Sequence, residues 1–302
     1  MASNQTTETK TTTEKKPFSF ARLFNRNGHE KSVLPPVQEQ GPPKTVWREY
    51  FESAVVTVIM ALFGMTFIVQ AVKVPTGSMQ NTITIGDHLL VNKFIFAPGE
   101  SLPFLPQREI RRGDIIVFKY PGNPYSPGLD NRPDNRPILT NYVKRVIGLP
   151  GDRVRIDGNT VIVNDQPIPE HRIEVMPRPN VSSDDPESKK PLTIVNSQAR
   201  KPDELYDVYY YKPGPADRRD NYTAFEGRDE LVVPPTSYFV MGDNRNDSED
   251  SRYWGFVPRD YVIGRAMFVY WSYDESAPPS GLGIVGDFFM NTRWSRTGTL
   301  VK

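Results

Sequence analysis

A serine at position 78 and a lysine at position 144 are the residues whose surroundings could support nucleophilic chemistry. Ser78 lies in the run VPTGSM (74–79), where a proline and a glycine impose an irregular, non-helical backbone. The glycine also lets a substrate backbone come close to Ser78. A serine needs a base to become a nucleophile, and histidine is the usual one. The chain has only three scattered histidines, so a lysine is the next candidate.

A lysine acts as a base near neutral pH only when burial lowers its pKa by several units. Lys144 lies in the segment NYVKRVIGLPGD (141–152), where strand alternation places Tyr142, Lys144 and Val146 on one face. If that face points inward, the amine lies among apolar neighbours. Taken singly, a solvated strand lysine and a turn serine are the ordinary interpretations of Lys144 and Ser78.

A third motif is the loop GDNRNDSEDSRYWG (242–255), in which charges of both signs alternate. It carries Asp243, Arg245, Asp250 and Arg252. A solvated network of surface ion pairs is the ordinary interpretation, and such a network adds little stability. Because the loop directly follows an apolar strand and includes Trp254, we expect it instead to form a semi-buried scaffold beside the site.

Composition and missing motifs exclude several other chemistries. The chain has no cysteine, no HExxH, no Walker loop and no GxSxG, and its histidines have no partner at the spacing of metal ligands. We therefore expect neither a metal nor a cofactor. The net charge is +1, which implies no general attraction to nucleic acid.

An uncharged apolar run, AVVTVIMALFGMTFIV (54–69), precedes the serine motif. Extended to residue 72, it would form about 28 Å of helix, close to the hydrocarbon thickness of a bilayer of roughly 30 Å. A buried helix of a soluble protein and a cleaved signal peptide are the alternatives. The first normally has one polar face, and the second normally begins closer to the N-terminus. The pattern favours an uncleaved transmembrane anchor over residues 47–73.

The residues before the anchor are polar and have no sustained apolar period, so residues 1–46 are predicted to be a disordered tail. This tail has more lysines and arginines than the flank that closely follows the anchor. The positive-inside rule therefore places the tail in the cytoplasm and the domain of residues 74–302 on the outer face of the membrane.

The sequence after the anchor is typical of a mainly β protein. Short apolar or alternating runs predict strands, and Asp157-Gly158 predicts a hairpin turn. The predicted strands are 87–92, 114–118, 153–156, 160–163, 238–241 and 266–271. The segment 177–234 is polar, rich in proline and poor in core residues, so it is interpreted as a variable insertion. Outside the anchor, no helix of useful length is predicted.

Four blocks of this sequence, in order, resemble the bacterial type I signal peptidases, which are membrane-bound Ser–Lys proteases. The blocks are PTGSM (75–79), GDHLLVNK (86–93), RGD (112–114) with YVKRVIGLPGD (142–152), and the charged loop 242–255. The resemblance covers roughly residues 74–274. It implies an irregular antiparallel β-sheet protease core of the signal peptidase type, preceded by one N-terminal transmembrane helix.

The resemblance also implies roles for individual residues. Ser78 would be the nucleophile and Lys144 the general base. Thr76 stands where the family has a hydroxyl residue that forms the oxyanion hole with the Ser78 amide. Ser248 stands where the family uses a serine to orient the lysine. The residues expected to support the site are Tyr142, Asp243, Arg245, Asp250 and Arg252.

The expected function is removal of N-terminal signal peptides from exported preproteins, by a single-pass, monomeric enzyme of the cytoplasmic (inner) membrane. Its partners would be preproteins and the lipid bilayer. Two other functions remain open on the residues alone. One is a self-cleaving Ser–Lys regulator, although such regulators act in the cytoplasm. The other is a non-catalytic, membrane-tethered β-domain, in which Ser78 and Lys144 would be dispensable.

Overall fold

A computed structural model of the chain describes residues 45–97, 107–132, 135–177, 185–212 and 222–302. The tail predicted over residues 1–46 therefore lies almost wholly outside the described residues. The chain divides into two compact units, residues 1–53 and 54–302. Of the first unit, the structure describes residues 45–53, which are largely helical.

Four α-helices are formed by the described residues. They are α1 (Val46–Phe63), α2 (Pro186–Lys189), α3 (Ser251–Trp254) and α4 (Gly283–Asn291). A π-helical turn, Gly64–Ile68, continues α1. The combined segment Val46–Ile68 is long and apolar enough to cross a membrane, and none of its most apolar stretch is buried inside the protein.

Fifteen β-strands are formed by the described residues. They are β1 (Val69–Lys73), β2 (Asp87–Asn92), β3 (Ile115–Lys119), β4 (Asn141–Gly148), β5 (Arg153–Asp157), β6 (Thr160–Val163), β7 (Gln166–Pro167), β8 (His171–Val175), β9 (Ile194–Ser197), β10 (Asp207–Tyr211), β11 (Leu231–Val232), β12 (Ser237–Met241), β13 (Val257–Pro258), β14 (Val262–Ser272) and β15 (Thr299–Leu300).

These strands form three sheets. The main sheet has eight strands in the order β1-β2-β14-β3-β4-β12-β13, with β15 paired to β14. Two smaller sheets have the orders β10-β8-β9 and β11-β5-β6-β7. Every pairing is antiparallel except that between β8 and β10. The prediction of a mainly β protein with one N-terminal apolar helix is confirmed.

The helical segment ends at Ile68, five residues before the predicted end of the anchor at residue 73. Residues Val69–Lys73 form strand β1, which pairs with β2 from Val69 opposite Asn92 to Lys73 opposite His88. The run 69–72 is uncharged and still mostly apolar, so hydropathy did not locate the boundary. Pairing with β2 decides it, because the strand ladder satisfies the backbone hydrogen bonds.

The polar segment 177–234 contributes more to the core than its composition predicts. Its buried side chains include Val208, Tyr210 and Phe225, and they pack in one cluster with Ile147 and Phe239 of strands β4 and β12. The aromatic residues in this segment supply large apolar surfaces despite its polar average. The described residues of this segment therefore share a core with the main sheet.

Helix α4 corrects the prediction that no helix of useful length follows the anchor. Its nine residues are too few for a helical period to be recognised in the sequence. Most of its large apolar side chains are exposed: Ile284 is 90% exposed, Val285 70%, Met290 66% and Phe289 59%. So large an exposed apolar surface on one short element is typical of an interaction site.

Candidate active site

The turn that carries Ser78 is held between β1 and β2. The Val74 amide donates to the Asp87 carbonyl oxygen at 3.0 Å, and the Gly86 amide donates to the Val74 carbonyl oxygen at 3.2 Å. Between these two hydrogen-bonded positions, Gly77–Met79 forms one turn of 3-10 helix. Met79 is fully buried in the core, and Ser78 beside it is 9% exposed.

Strand β4 brings Lys144 to the Ser78 hydroxyl. The strand lies between β3 and β12 in the main sheet, and Lys144 is 3% exposed. Its Nζ is 2.5 Å from Ser78 Oγ, within hydrogen-bond distance, and 5.2 Å from the centroid of the Tyr142 ring. The structure therefore brings together the two residues that the sequence singled out, 66 positions apart in the chain.

Burial lowers the pKa of the Lys144 amine from its ordinary 10.5 to about 8. Desolvation is the largest cause, because it disfavours the charged form. The Asp250 carboxylate acts in the opposite direction and the Arg252 guanidinium lowers the pKa further. With a pKa of about 8, roughly one tenth of the amine is neutral at pH 7. The arrangement can therefore remove a proton from the hydroxyl that it contacts.

The loop after β12 closes against the other side of the Ser78 turn. A Cβ atom on Gly242 would lie 2.4 Å from the Ser78 carbonyl oxygen and 2.3 Å from Ser248 Oγ, so only glycine fits there. The Asn244 amide donates to the Ser78 carbonyl oxygen at 3.1 Å, and Asn244 Nδ2 donates to the Gly77 carbonyl oxygen at 3.1 Å. Two of the three carbonyl groups of the turn are thus bonded to one loop.

Ser248 lies in the same loop and donates its hydroxyl hydrogen to Asp250 Oδ2 at 2.7 Å. Asp250 is fully buried and also accepts from Arg252 Nε at 2.8 Å and from the Gly242 amide at 2.9 Å. Burial alone would raise the pKa of Asp250, but the Arg252 guanidinium holds it below its ordinary value. The role of Ser248 in orienting Lys144 stays a prediction, since its hydroxyl is directed to Asp250.

Two further ion pairs in this region are buried. Arg145 follows Lys144 on β4 and makes two hydrogen bonds to the Asp243 carboxylate, at 2.8 and 2.6 Å. Arg245 makes two to Glu170, at 2.9 and 2.5 Å. Asp243, Arg245, Asp250 and Arg252 are at most 1% exposed. The charged loop is therefore semi-buried, as predicted: these four side chains lie in the interior, whereas Asn246 and Asp247 are exposed.

Thr76 and Tyr142 flank the Ser78–Lys144 pair. Thr76 is exposed and its backbone is extended, with no capping hydrogen bond from its side chain to the described residues of the turn that follows. Tyr142 is half-buried, donates its hydroxyl hydrogen to Asn135 Oδ1, and lies 4.9 Å from the Tyr120 ring between centroids. The part of Thr76 in an oxyanion hole stays a prediction.

Several residues that build this site were not predicted from the sequence. Arg145 alternates with Lys144 on β4, so strand periodicity places it on the opposite face, and nothing in the sequence shows that both faces are buried. Glu170 stands in no motif. Gly242 and Asn244 lie inside the recognised charged loop, where the glycine after an apolar strand was the one available signal of close backbone approach.

The sequence matches a family model described as signal peptidase, peptidase S26, over residues 47–271. Signal peptidase I of Pseudomonas fluorescens is 32% identical over 243 residues, which cover 75% of this chain and 73% of that protein. Signal peptidase I of Buchnera aphidicola is 30% identical, with 76% and 77% covered. Signal peptidase I of Leptolyngbya laminosa is 32% identical, with 74% and 80% covered.

The Lys144 amine should titrate with a midpoint near pH 8, because burial disfavours its charged form. The midpoint can be measured by NMR from the lysine Cε chemical shifts of detergent-solubilised protein labelled with ¹³C-lysine. Lys144→Met identifies the resonance by its disappearance. A Lys144 Cε resonance that stays at the chemical shift of the charged amine up to about pH 10 would contradict a pKa lowered by burial.

Proposed function

Because the chain belongs to the signal peptidase family, peptidase S26, we propose that it is a membrane-anchored serine endopeptidase. It removes N-terminal signal peptides from exported preproteins, as the name of its relatives indicates for those proteins. Ser78 is the nucleophile and Lys144 the general base. The observation that carries this proposal is the contact of 2.5 Å between Lys144 Nζ and Ser78 Oγ, made by a buried amine whose pKa is about 8.

In the acylation step, the neutral Lys144 amine takes the proton of the Ser78 hydroxyl while Ser78 Oγ attacks the scissile carbonyl carbon. The carbonyl oxygen becomes an oxyanion, which the Ser78 amide and the Thr76 hydroxyl stabilise by hydrogen bonds. Loss of one such donor typically costs about 10²–10³ in rate. Two observations support this role: Thr76 is exposed, and its hydroxyl makes no capping hydrogen bond to the described turn that follows.

The tetrahedral intermediate then collapses. The carbon–nitrogen bond breaks, and the Lys144 ammonium gives its proton to the leaving amine, which is the new N-terminus of the mature protein. The neutral Lys144 amine next takes a proton from water, which attacks the carbonyl carbon of the acyl-enzyme ester. The bond between this carbon and Ser78 Oγ then breaks, the Lys144 ammonium returns its proton to Ser78 Oγ, and the signal peptide leaves with a new carboxyl terminus. One lysine thus serves as base and then as acid in each half of the reaction, which requires a pKa near the working pH.

The substrate binds as an extended strand beside β4. Strand β12 pairs with β4 only from Arg145 onward, whereas β3 pairs along residues 141–145. The side of Asn141–Lys144 that faces away from β3 is therefore paired with none of the described strands. An added strand would make main-chain hydrogen bonds there and lead the scissile bond to Ser78. Small residues such as alanine, at the first and third positions before the cut, suit a shallow apolar site.

The location follows from the anchor and from charge. The helical segment Val46–Ile68 has 23 residues, about 34 Å at 1.5 Å per residue, which is enough to span a bilayer. Lysines and arginines are more frequent before it than in the flank after it, so the N-terminus lies in the cytoplasm. The protein is a single-pass, monomeric enzyme of the inner membrane whose catalytic domain lies on the outer face.

Helix α4 gives the catalytic domain a second contact with the bilayer. Its exposed residues Ile284, Val285 and Phe289 are apolar, and Phe289 stacks on the half-exposed Trp294 with ring centroids 6.2 Å apart. Tryptophan beside an apolar face is typical of elements that lie in a membrane interface. An active site held at the bilayer surface would meet signal peptides where they emerge.

Substitution of either member of the pair should abolish cleavage with little loss of folding. We expect Ser78→Ala and Lys144→Met each to lower the kcat for a preprotein by more than about 10⁴-fold. Lys119→Met, which changes an exposed lysine on β3, is the matched control and should keep wild-type activity. Cleavage is followed by N-terminal sequencing of the product, and folding by thermal unfolding. Robust processing by either pair variant would overturn the proposal.

The bilayer contact can be tested with Trp294 as a fluorescent reporter in a variant that carries Trp47→Phe. Because Trp254 and Trp271 also emit, the Trp294 signal is taken as the difference from the same variant with Trp294→Phe. In vesicles with brominated lipid chains, we expect bromine to quench the Trp294 emission. Ile284→Asp with Phe289→Asp should reduce this quenching, because charged side chains oppose burial in lipid. Val232→Asp, at another exposed apolar residue, is the control. Equal quenching in all variants would show that α4 stays away from the bilayer.

A further inference from the structure

The segment Pro186–Leu192 of the insertion binds the chain just after the nucleophile. Asn81 makes a reciprocal pair of hydrogen bonds with the backbone of Leu192: the Leu192 amide donates to Asn81 Oδ1 at 2.8 Å, and Asn81 Nδ2 donates to the Leu192 carbonyl oxygen at 3.1 Å. The neighbouring Gln80 donates from Nε2 to the Lys190 carbonyl oxygen at 2.7 Å. Two consecutive residues of the Ser78 turn are thus bonded to one insertion segment.

These bonds act on a backbone with an uncommon conformation at Asn81. Asn81 has a φ of +73°, in the left-handed region, which asparagine tolerates better than most residues. Gln80 is fully buried, and its Oε1 accepts from the Ile85 amide at 3.3 Å. Its side chain therefore ties the insertion to both ends of the turn between the 3-10 helix and β2.

The insertion segment is itself firmly anchored. Leu192 is buried in a cluster with Ile173, Val175 and Tyr209 of the sheet β10-β8-β9. That sheet is bonded in turn to the charged loop: the Tyr209 amide donates to the Asp243 carbonyl oxygen at 2.8 Å, and the Arg245 amide donates to the Tyr209 carbonyl oxygen at 3.0 Å.

The small sheet and the segment that packs on it therefore contact both the chain after Ser78 and the loop that is bonded to Ser78. On one side, Leu192 and Lys190 hold Gln80 and Asn81. On the other, Tyr209 brackets Asn244, whose amide donates to the Ser78 carbonyl oxygen. These contacts join residues that lie far apart in the chain to the backbone on both sides of the Ser78 turn.

We propose that the segment Pro186–Leu192 is a positioning element for Ser78, acting through Asn81. By fixing the turn after the nucleophile, it holds the Ser78 hydroxyl against the Lys144 amine. This inference rests on the proposed roles of Ser78 and Lys144. Asn81 lies three residues after Ser78 and serves the reaction through the turn, so loosening it should slow the chemical step and leave substrate binding beside β4 unchanged.

Asn81→Gly is the decisive variant, because glycine accepts the positive φ and the change removes only the side-chain bonds. Asn164→Gly is its matched control. Asn164 also has a positive φ, accepts from a backbone amide through Oδ1 and donates through Nδ2, but it lies in the turn between β6 and β7. Asn81→Asp keeps the acceptor for the Leu192 amide and should restore part of the activity.

The kinetics of preprotein cleavage are measured with the full-length, detergent-solubilised protein, together with the thermal unfolding midpoint. We expect Asn81→Gly to lower kcat about tenfold or more with KM within about twofold of wild type. The kcat of Asn81→Asp should lie between those of Asn81→Gly and the wild type. Asn164→Gly should keep the kcat and KM of the wild type, although its thermal unfolding midpoint should fall by about as much as that of Asn81→Gly.

Two results would overturn the inference. One is an Asn81→Gly variant with the kcat of the wild type. The other is a loss of kcat that Asn164→Gly shares at an equal loss of thermal stability. Failure of the proposed function is distinguishable from both, because it would appear as cleavage that persists in Ser78→Ala, whatever the variants at position 81 do.

Discussion

Keeping the Lys144 amine out of water is the constraint on which the rest of the site depends. Burial lowers the pKa of this amine to about 8, and the distance of 2.5 Å between Nζ and Ser78 Oγ turns the neutral amine into a usable base. Burial could lower the pKa much further, since fully buried lysines can shift by several units. The Asp250 carboxylate opposes that shift. The site therefore balances desolvation against a nearby negative charge.

The buried ion pairs around this amine explain why a loop so rich in charge lies in the interior. The carboxylates of Glu170, Asp243 and Asp250 are each paired with an arginine. Breaking one such pair leaves an uncompensated charge and typically costs about 3–5 kcal/mol. The pairs thereby fix the loop 242–255 in one position. That loop in turn supplies the glycine and the asparagine that close on the Ser78 turn.

The sequence predicted those elements whose signals are local. Strands 87–92 and 160–163 were predicted to the residue, because apolar alternation and glycine turns mark them. The end of the N-terminal helix was not, since residues 69–72 remain mostly apolar and it is their pairing with β2 that makes them a strand. The bonds from Gln80 and Asn81 to the insertion, and from Arg245 to Glu170, join residues 75 to 111 positions apart, which no local pattern encodes.

The pH dependence of kcat/KM for preprotein cleavage tests the central claim most directly. If the reacting base is the buried Lys144 amine, kcat/KM should rise about tenfold per pH unit in the acid range and level off above a midpoint near pH 8. A profile that is flat across this range, or one that keeps rising towards the ordinary lysine value of 10.5, would contradict a desolvated amine as the base.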